Sequence, residues 1–328
     1  MTAPQPTSPA APVIAGVDLG GTKIQTVVLR GDEVAGSARV STPQTGDPAD
    51  VIAAIVETVR TSLEGAGAKQ ADLEGIGIGT PGEVDAGAGA VLLAANVPGF
   101  MERVELGPLV SKQLGKVKVT VGNDVSVGVL GEYERGAGRP YENLFGVWVG
   151  TGVGGGLILH GELHDGRGAG GEIGHMVVKP GGLQCSCGKR GCVEAYAGRA
   201  SMERRARQLV KRGHETDLFQ IMEKHGRDRL SSGVYARALG HGDKMARKLI
   251  DDAAWALGLG LASAQNLLDL EAIIVGGGLG DRLGQPFVEQ IVEQMTPHLF
   301  CADKPPAVLR TELGDLSGAV GAAVLAGR

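Results

Sequence analysis

His175, Cys185, Cys187 and Cys192 fall in one short run, G-G-E-I-G-H-M-V-V-K-P-G-G-L-Q-C-S-C-G-K-R-G-C-V-E, which holds three of the chain's four cysteines. Three thiolates and an imidazole are a ligand set for tetrahedral Zn²⁺, and Cys₃His closes the coordination sphere, so such a site is structural. A redox pair or chance clustering is the alternative. Cys185 and Cys187, however, are separated by one residue, which is poor disulfide geometry, and nothing suggests secretion. Gly181, Gly182, Gly188 and Gly191 let the segment fold tightly around an ion. Two carboxylates flank the quartet: Glu172, three residues before His175, and Glu194, two after Cys192. A metal holding this loop would fix both against the imidazole, whose second nitrogen could face a ligand. Such an arrangement suits hydroxyl recognition, as in a polyol or sugar site.

Glycine-rich turns supply a second chemistry. D-L-G-G-T-K (Asp18, Gly20, Gly21, Thr22, Lys23) lies between two apolar runs, where backbone N–H groups and the Thr22 and Lys23 side chains can converge on an anion. It is neither a Walker A loop nor a dinucleotide fingerprint, because the spacing differs and a strand, not a helix, follows. Taken alone it reads as an ordinary glycine hairpin. G-T-G-V-G-G-G (Gly150, Thr151, Gly152 and on to Gly156) is expected to be a second such turn, and G-G-G-L-G (Gly276, Gly277, Gly278 and on to Gly280) a third, near a helix start. Three turns at strand ends, with Asp18 in the first, favour a nucleotide cleft between two lobes, with Asp18 facing Mg²⁺ and phosphate through water.

The elements that must carry these residues follow from the apolar pattern. Val13–Val17, Ile24–Leu29 and Val34–Val40 read as a three-strand meander. Asp47–Leu63 has helical spacing at Val51, Ile52, Ile55, Val56 and Val59, with Asp and Pro at its start. Strands at Ile76–Ile78 and Val117–Val121, and helices at Leu106–Leu114 and Val125–Glu134, complete the first half. Phe145–Val149 and Leu157–Leu159 then repeat the strand–turn–strand theme, which suggests a duplicated architecture. Helices dominate from Ala200 to Leu268, followed by strands at Ala272–Val275 and Ala307–Leu309 and a helix at Ser317–Ala326.

At 328 residues the chain exceeds one small core, so two lobes are expected. A net charge of −5 argues against a general nucleic-acid or membrane surface, and no apolar run reaches the ~18–20 residues of a membrane helix. The N-terminus M-T-A-P-Q-P-T-S-P-A-A-P lacks a basic and an apolar region, so it reads as a loose tail. With reduced cysteines, that makes the expected location cytoplasmic. Glycine, at 55 residues, clusters at the ends of apolar runs, which favours tight turns and close ligand approach over disorder.

The motifs together resemble those of ROK-family (repressor, open reading frame, kinase) sugar kinases, bacterial glucokinases most of all. The resemblance runs from Val13 to Ala326. It is carried by D-L-G-G-T-K, G-N-D (Gly122–Asp124), G-T-G-V-G-G-G, A-G-G-E-I-G-H (Ala169–His175) and C-S-C-G-K-R-G-C-V-E (Cys185–Glu194), the final two being the most specific. It implies a two-lobed α/β fold of the actin/hexokinase-like (ribonuclease H-like) ATPase type with a structural zinc loop. The expected layout is a disordered tail at 1–12, a small lobe at 13–122 plus 315–328, and a large lobe at 123–314 holding the zinc loop 175–192. The lobes are expected to close on sugar and ATP.

By the same resemblance Asp124 is the catalytic base and Asn123 beside it binds sugar. Glu172, His175 and Glu194 contact sugar hydroxyls, as does Asn96 in A-A-N-V-P-G-F, and His175 joins the three cysteines on zinc. By themselves Asn123 and Asp124 also read as a helix cap after a strand. The implied reaction is ATP- and Mg²⁺-dependent phosphorylation of D-glucose at O6. Fructose, mannose or N-acetylmannosamine is the alternative acceptor and polyphosphate the alternative donor. Repressors of the family carry a helix-turn-helix domain ahead of the first strand, and the short tail here, without Lys or Arg, is too small for one. A kinase is therefore expected over a sugar-sensing regulator, with no nucleic-acid or membrane partner and with a homodimer or homotetramer as its assembly.

Overall fold

In the computed structural model, which describes residues 11–328, the apolar runs become two five-stranded sheets, each in its own compact unit. One unit runs through Gly131 and takes in Gly318–Arg328; the other is Glu132–Ser317. Of the expected tail, residues 1–10 lie outside the described residues. No helix among those described is long and apolar enough to cross a membrane.

The first unit contains β1 (Val13–Leu19), β2 (Lys23–Arg30), β3 (Glu33–Ser41), α1 (Pro48–Gly65), β4 (Leu73–Thr80), β5 (Glu83–Asp85), β6 (Ala90–Leu93), α2 (Leu106–Gln113), β7 (Lys118–Asn123) and the start of α3 (Asp124–Arg135). Its sheet has the order β3-β2-β1-β4-β7, an antiparallel meander followed by parallel β4 and β7. α1 forms where the spacing requires it. The Asp47 carboxylate caps it by accepting the Ala49 N–H at 2.8 Å, and Pro48 sits in the first turn. Its buried face is Val51, Ile52, Ile55, Val56, Val59 and Leu63, each contributing about 1.5–3 kcal/mol by leaving water. The other face is packed differently. Ala319, Ala322 and Ala323 of α11 (Ser317–Gly327) lie directly on β1 and β4 because Gly16 and Gly77 have no side chain; a Cβ at Gly77 would sit 1.7 Å from the Ala322 carbonyl oxygen.

The second unit repeats the pattern. β8 (Leu144–Val149), β9 (Val153–Leu159) and β10 (Glu162–Leu163) form the meander, with β11 (Ala272–Gly276) and β12 (Ala307–Arg310) parallel beside β8, giving β10-β9-β8-β11-β12. The duplicated theme is thus a duplicated sheet. The helices are α4 (Val193–Ala197), α5 (Arg199–Lys211), α6 (Leu218–Lys224), α7 (Ser232–Gly240), α8 (Lys244–Leu268), α9 (Gly277–Leu283) and α10 (Gln285–Met295). Asp243 caps α8 through the Ala246 N–H and also accepts from Thr216 and Asp217. Glu132, wholly buried, accepts the N–H groups of Ala137, Glu312 and Leu313 and the Ser317 hydroxyl at 2.7–3.1 Å, so its burial is fully compensated.

One turn is shorter than expected. Only Gly150–Gly152 turns; Gly154, Gly155 and Gly156 lie within β9, paired with Trp148, Val147 and Gly146. Within the strand position 155 has room only for glycine, because a Cβ there would meet the Phe145 ring at 2.4 Å and the Gly171 carbonyl at 2.5 Å.

Candidate active site

The Cys₃His loop assembles as the residue types demand. His175 closes a short 3₁₀ turn, Ile173–His175, and Cys192 sits at the N-cap of α4, so a strandless segment returns to its start. Backbone pairing of Val177 with Cys192 and of Gln184 with Arg190 closes it. Gly191 permits the crossing, since a Cβ there would lie 1.7 Å from the Lys179 carbonyl oxygen. The Tyr196 hydroxyl accepts the Leu183 N–H, and the Tyr196 ring packs edge-on against Trp255 of α8 at 5.3 Å, which fastens the loop to the core.

The four ligand atoms lie within 4.8 Å of one another. The sulfurs of Cys187 and Cys192 are 3.8 Å apart, far beyond a disulfide. That separation matches the edge of a tetrahedron with Zn–S bonds of about 2.3 Å, which is about 3.8 Å. Nδ1 of His175 lies 3.8 Å from the Cys185 sulfur, so Nδ1 is the nitrogen that would face a metal. Nε2 faces away, 4.0 Å from a Glu172 carboxylate oxygen. Burial, with the neighbouring Cys185 and Cys187 sulfurs, pushes the Cys192 thiol up to about 12. The Lys189 N–H beside Cys187 holds that thiol below its ordinary range. A buried sulfur crowded by two others is a poor place for an uncompensated thiolate and a good one for a divalent cation. The donor set fits Zn²⁺, which would supply cross-linking with no open position.

Glu194, in the first turn of α4, is tied at both ends. One carboxylate oxygen accepts the Val153 N–H at 3.0 Å, and the other accepts the Ser186 hydroxyl at 2.5 Å. The loop is thereby joined to the Gly150–Gly152 turn, where a Cβ on Gly152 would meet Glu194 at 2.4 Å. Ser186 was not foreseen, although its place between two cysteine ligands is a signal. Glu172 is more than half exposed.

The parallel strands gather the remaining candidates of the second unit. β8 and β11 run parallel in register, Val275 beside Val147 and Gly276 beside Trp148, so Gly150–Gly152 and Gly277–Gly278 leave the same edge of the sheet. Gly277 has φ +79° and packs against Val149 backbone, a position closed to other residues. Thr151 carries a contact that sequence reading missed: Nη2 of Arg199 donates to its hydroxyl at 3.2 Å.

The first unit does the same with β1, β4 and β7. Asp18 pairs with Gly79, Gly79 with Gly122 and Thr80 with Asn123, placing Asp18, Asn123 and Asp124 along one strand-end edge. Asn123 Oδ1 caps α3 by accepting the Val125 and Ser126 N–H groups at 3.0 and 3.2 Å, and Asp124 Oδ1 also accepts from Val125. The Gly20–Thr22 turn is braced by Thr42 and Gln44, whose side chains donate to the Gly20 and Gly21 carbonyls. Asn96 is exposed beside it; its carbonyl oxygen would lie 1.9 Å from a Cβ on Gly21. Lys23 opens β2.

Comparison with known proteins finds relatives that span nearly the whole chain. The model of the ROK family matches residues 14–328. The glucokinase of Thermotoga maritima is 33% identical over 289 residues, 87% of this chain and 88% of that one. The glucokinase of Streptomyces coelicolor is 33% identical over 318 residues, 95% and 96% of the two chains. Among solved structures, the ROK family glucokinase of Streptomyces griseus in complex with glucose and AMPPNP superposes with a TM-score of 0.80 at 33% identity, covering 96% and 99% of the two chains. The two sheets are those of the actin/hexokinase-like (ribonuclease H-like) ATPase fold. By its motifs, its fold and a match across nearly its whole length, the chain belongs to the ROK family.

Proposed function

We propose that the protein transfers the terminal phosphoryl group of ATP to O6 of D-glucose, giving glucose 6-phosphate and ADP. The observation that carries this is the 33% identity, over 96% of the chain, to the Streptomyces griseus glucokinase in complex with glucose and AMPPNP. In this reading Asp124 is the base. As the hexose hydroxyl oxygen bonds to the terminal phosphorus, the phosphorus–bridging oxygen bond breaks, ADP departs, and the hydroxyl proton passes to the Asp124 carboxylate. A loose transition state needs that proton removed late, so a carboxylate can serve as base, and positioning does most of the work. Asn123 holds the start of α3, and so the aspartate, in place.

Glu172, His175, Glu194, Asn123 and Asn96 would contact sugar hydroxyls. Leaving any buried partner of theirs unpaired costs about 1–3 kcal/mol, enough to separate epimers. Gly20–Lys23, Gly150–Gly152 and Gly276–Gly278 would hold the donor through backbone N–H groups. Mg²⁺, when bound, neutralises donor charge, and Asp18 would hold it through water. Zinc would keep Glu194 and His175 in register. A coupled ADP-release assay across glucose, mannose, fructose, N-acetylglucosamine and N-acetylmannosamine tests the substrate. Glucose should give the highest kcat/KM; another sugar more than about tenfold higher overturns the choice of glucose.

A further inference from the structure

Arg199 is a cation without an anion. Its guanidinium makes one hydrogen bond among the described residues, Nη2 to the Thr151 hydroxyl at 3.2 Å, and no ion pair. Its Nε is buried with no partner. The acids nearest in sequence are committed elsewhere. Glu194 binds Val153 and Ser186, while Glu203 binds Arg207, Arg229 and the Leu230 N–H. Burial holds the guanidinium below its ordinary pKa; the neighbouring Tyr235 acts against that shift and Arg229 adds to it.

The position is adverse in another way. Arg199 is the first residue of α5, a 13-residue helix whose N-terminal dipole opposes a positive charge. Backbone bonds nevertheless fix it against the candidate phosphate turn: the Arg199 N–H donates to the Gly150 carbonyl at 3.1 Å and the Ala200 N–H to the Thr151 carbonyl at 3.0 Å. A half-buried arginine with an unpartnered Nε, opposed by a helix dipole and held on a glycine turn, is balanced once an anion binds beside it.

We propose that the Arg199 guanidinium binds a phosphate group of the phosphoryl donor at the Gly150–Gly152 turn, with Thr151 orienting it. This rests on the kinase reading and adds to it a residue for donor binding and charge neutralisation. The planar fork gives two N–H groups to two phosphate oxygens, which a lysine cannot reproduce.

Three variants test it: Arg199→Met, which removes the charge and fills the space, Arg199→Ala and Arg199→Lys. Steady-state rates are measured with ATP and glucose varied separately, and binding of Mg²⁺–AMPPNP and inorganic tripolyphosphate by calorimetry. Arg199→Met and Arg199→Ala should lower kcat/KM for ATP by about 30-fold or more with the KM for glucose within about threefold, and Arg199→Lys should recover only part of the loss. Tripolyphosphate should bind more weakly to the neutral variants. Donor kcat/KM within about threefold of wild type in Arg199→Met overturns the proposal, as does an equal rise in both KM values, which would mark a support for the Glu194 loop. If wild type phosphorylates no hexose, the kinase reading fails separately. Calorimetry then decides: tripolyphosphate binding weakened by Arg199→Met upholds the anion site, and unchanged or absent binding overturns it.

Discussion

Cys187 is the most exposed ligand of the quartet and the one whose loss should be cleanest, since no core packing depends on it. Metal analysis of the wild type should give about one zinc per chain, and Cys187→Ala should lose it and weaken glucose binding through Glu194 and His175. Metal-free protein with full activity after chelation would contradict the assignment. Glu203 makes a prediction about acid stability. Despite burial, which raises it, its pKa is held below the ordinary value by Arg207, the Leu230 N–H and Arg229. A carboxyl lowered by folding adds stability that is complete above the unfolded value of about 4.3 and fades as pH falls through the folded value. Thermal unfolding of Glu203→Gln should therefore show a deficit against wild type at pH 7 that narrows below about pH 4. A deficit independent of pH would show that packing, not charge, is at stake.

The elements that were legible in the sequence are those with a strong period. α1 and the strands β1, β2, β4, β7, β8 and β11 follow their apolar runs, and Asp47 and Asn123 are caps that residue type alone suggests. Glycine misled in β9, where Gly154–Gly156 reads as turn but pairs as strand; what requires glycine at 155, the Phe145 ring and the Gly171 carbonyl, is tertiary and invisible in sequence. The short β5–β6 hairpin carries too little pattern to stand out, whereas α10 does carry one: Phe287, Val288, Ile291 and Met295 form a helical stripe just after Pro286. In the site, the candidate metal quartet was legible because three thiols and an imidazole share one short glycine-rich segment. Thr42, Gln44 and Arg199 were not, because a lone polar residue gives no sign of which turn it will brace, and Ser186 was marked only by its place between two cysteines. The α11 packing adds a test at this scale. Gly77→Ala should destabilise the protein by about 1–3 kcal/mol in urea unfolding, because the new Cβ would overlap the Ala322 carbonyl. A change below about 0.5 kcal/mol would mean that α11 shifts freely.

Across the whole molecule, one sheet pattern occurs twice, and each copy sends its candidate residues out at the ends of its parallel strands. That repetition is why glycine turns recur after β1, β8 and β11, and why no single motif sufficed to suggest a nucleotide. In the proposed reaction the Cys₃His loop would serve hydroxyls, the Gly150–Gly152 turn phosphates, and Asp124 at the head of α3 would be the base. The claim on which the rest depends is glucose-dependent phosphoryl transfer with Asp124 as base. The most direct measurement is ADP release from Mg²⁺–ATP with and without glucose, by wild type and by Asp124→Asn, with the product identified as the 6-phosphate. The account predicts that glucose stimulates release by wild type and that Asp124→Asn lowers kcat by about a thousandfold or more while still binding glucose. Glucose-independent release by wild type, or an Asp124→Asn variant keeping a tenth or more of its turnover, would contradict it.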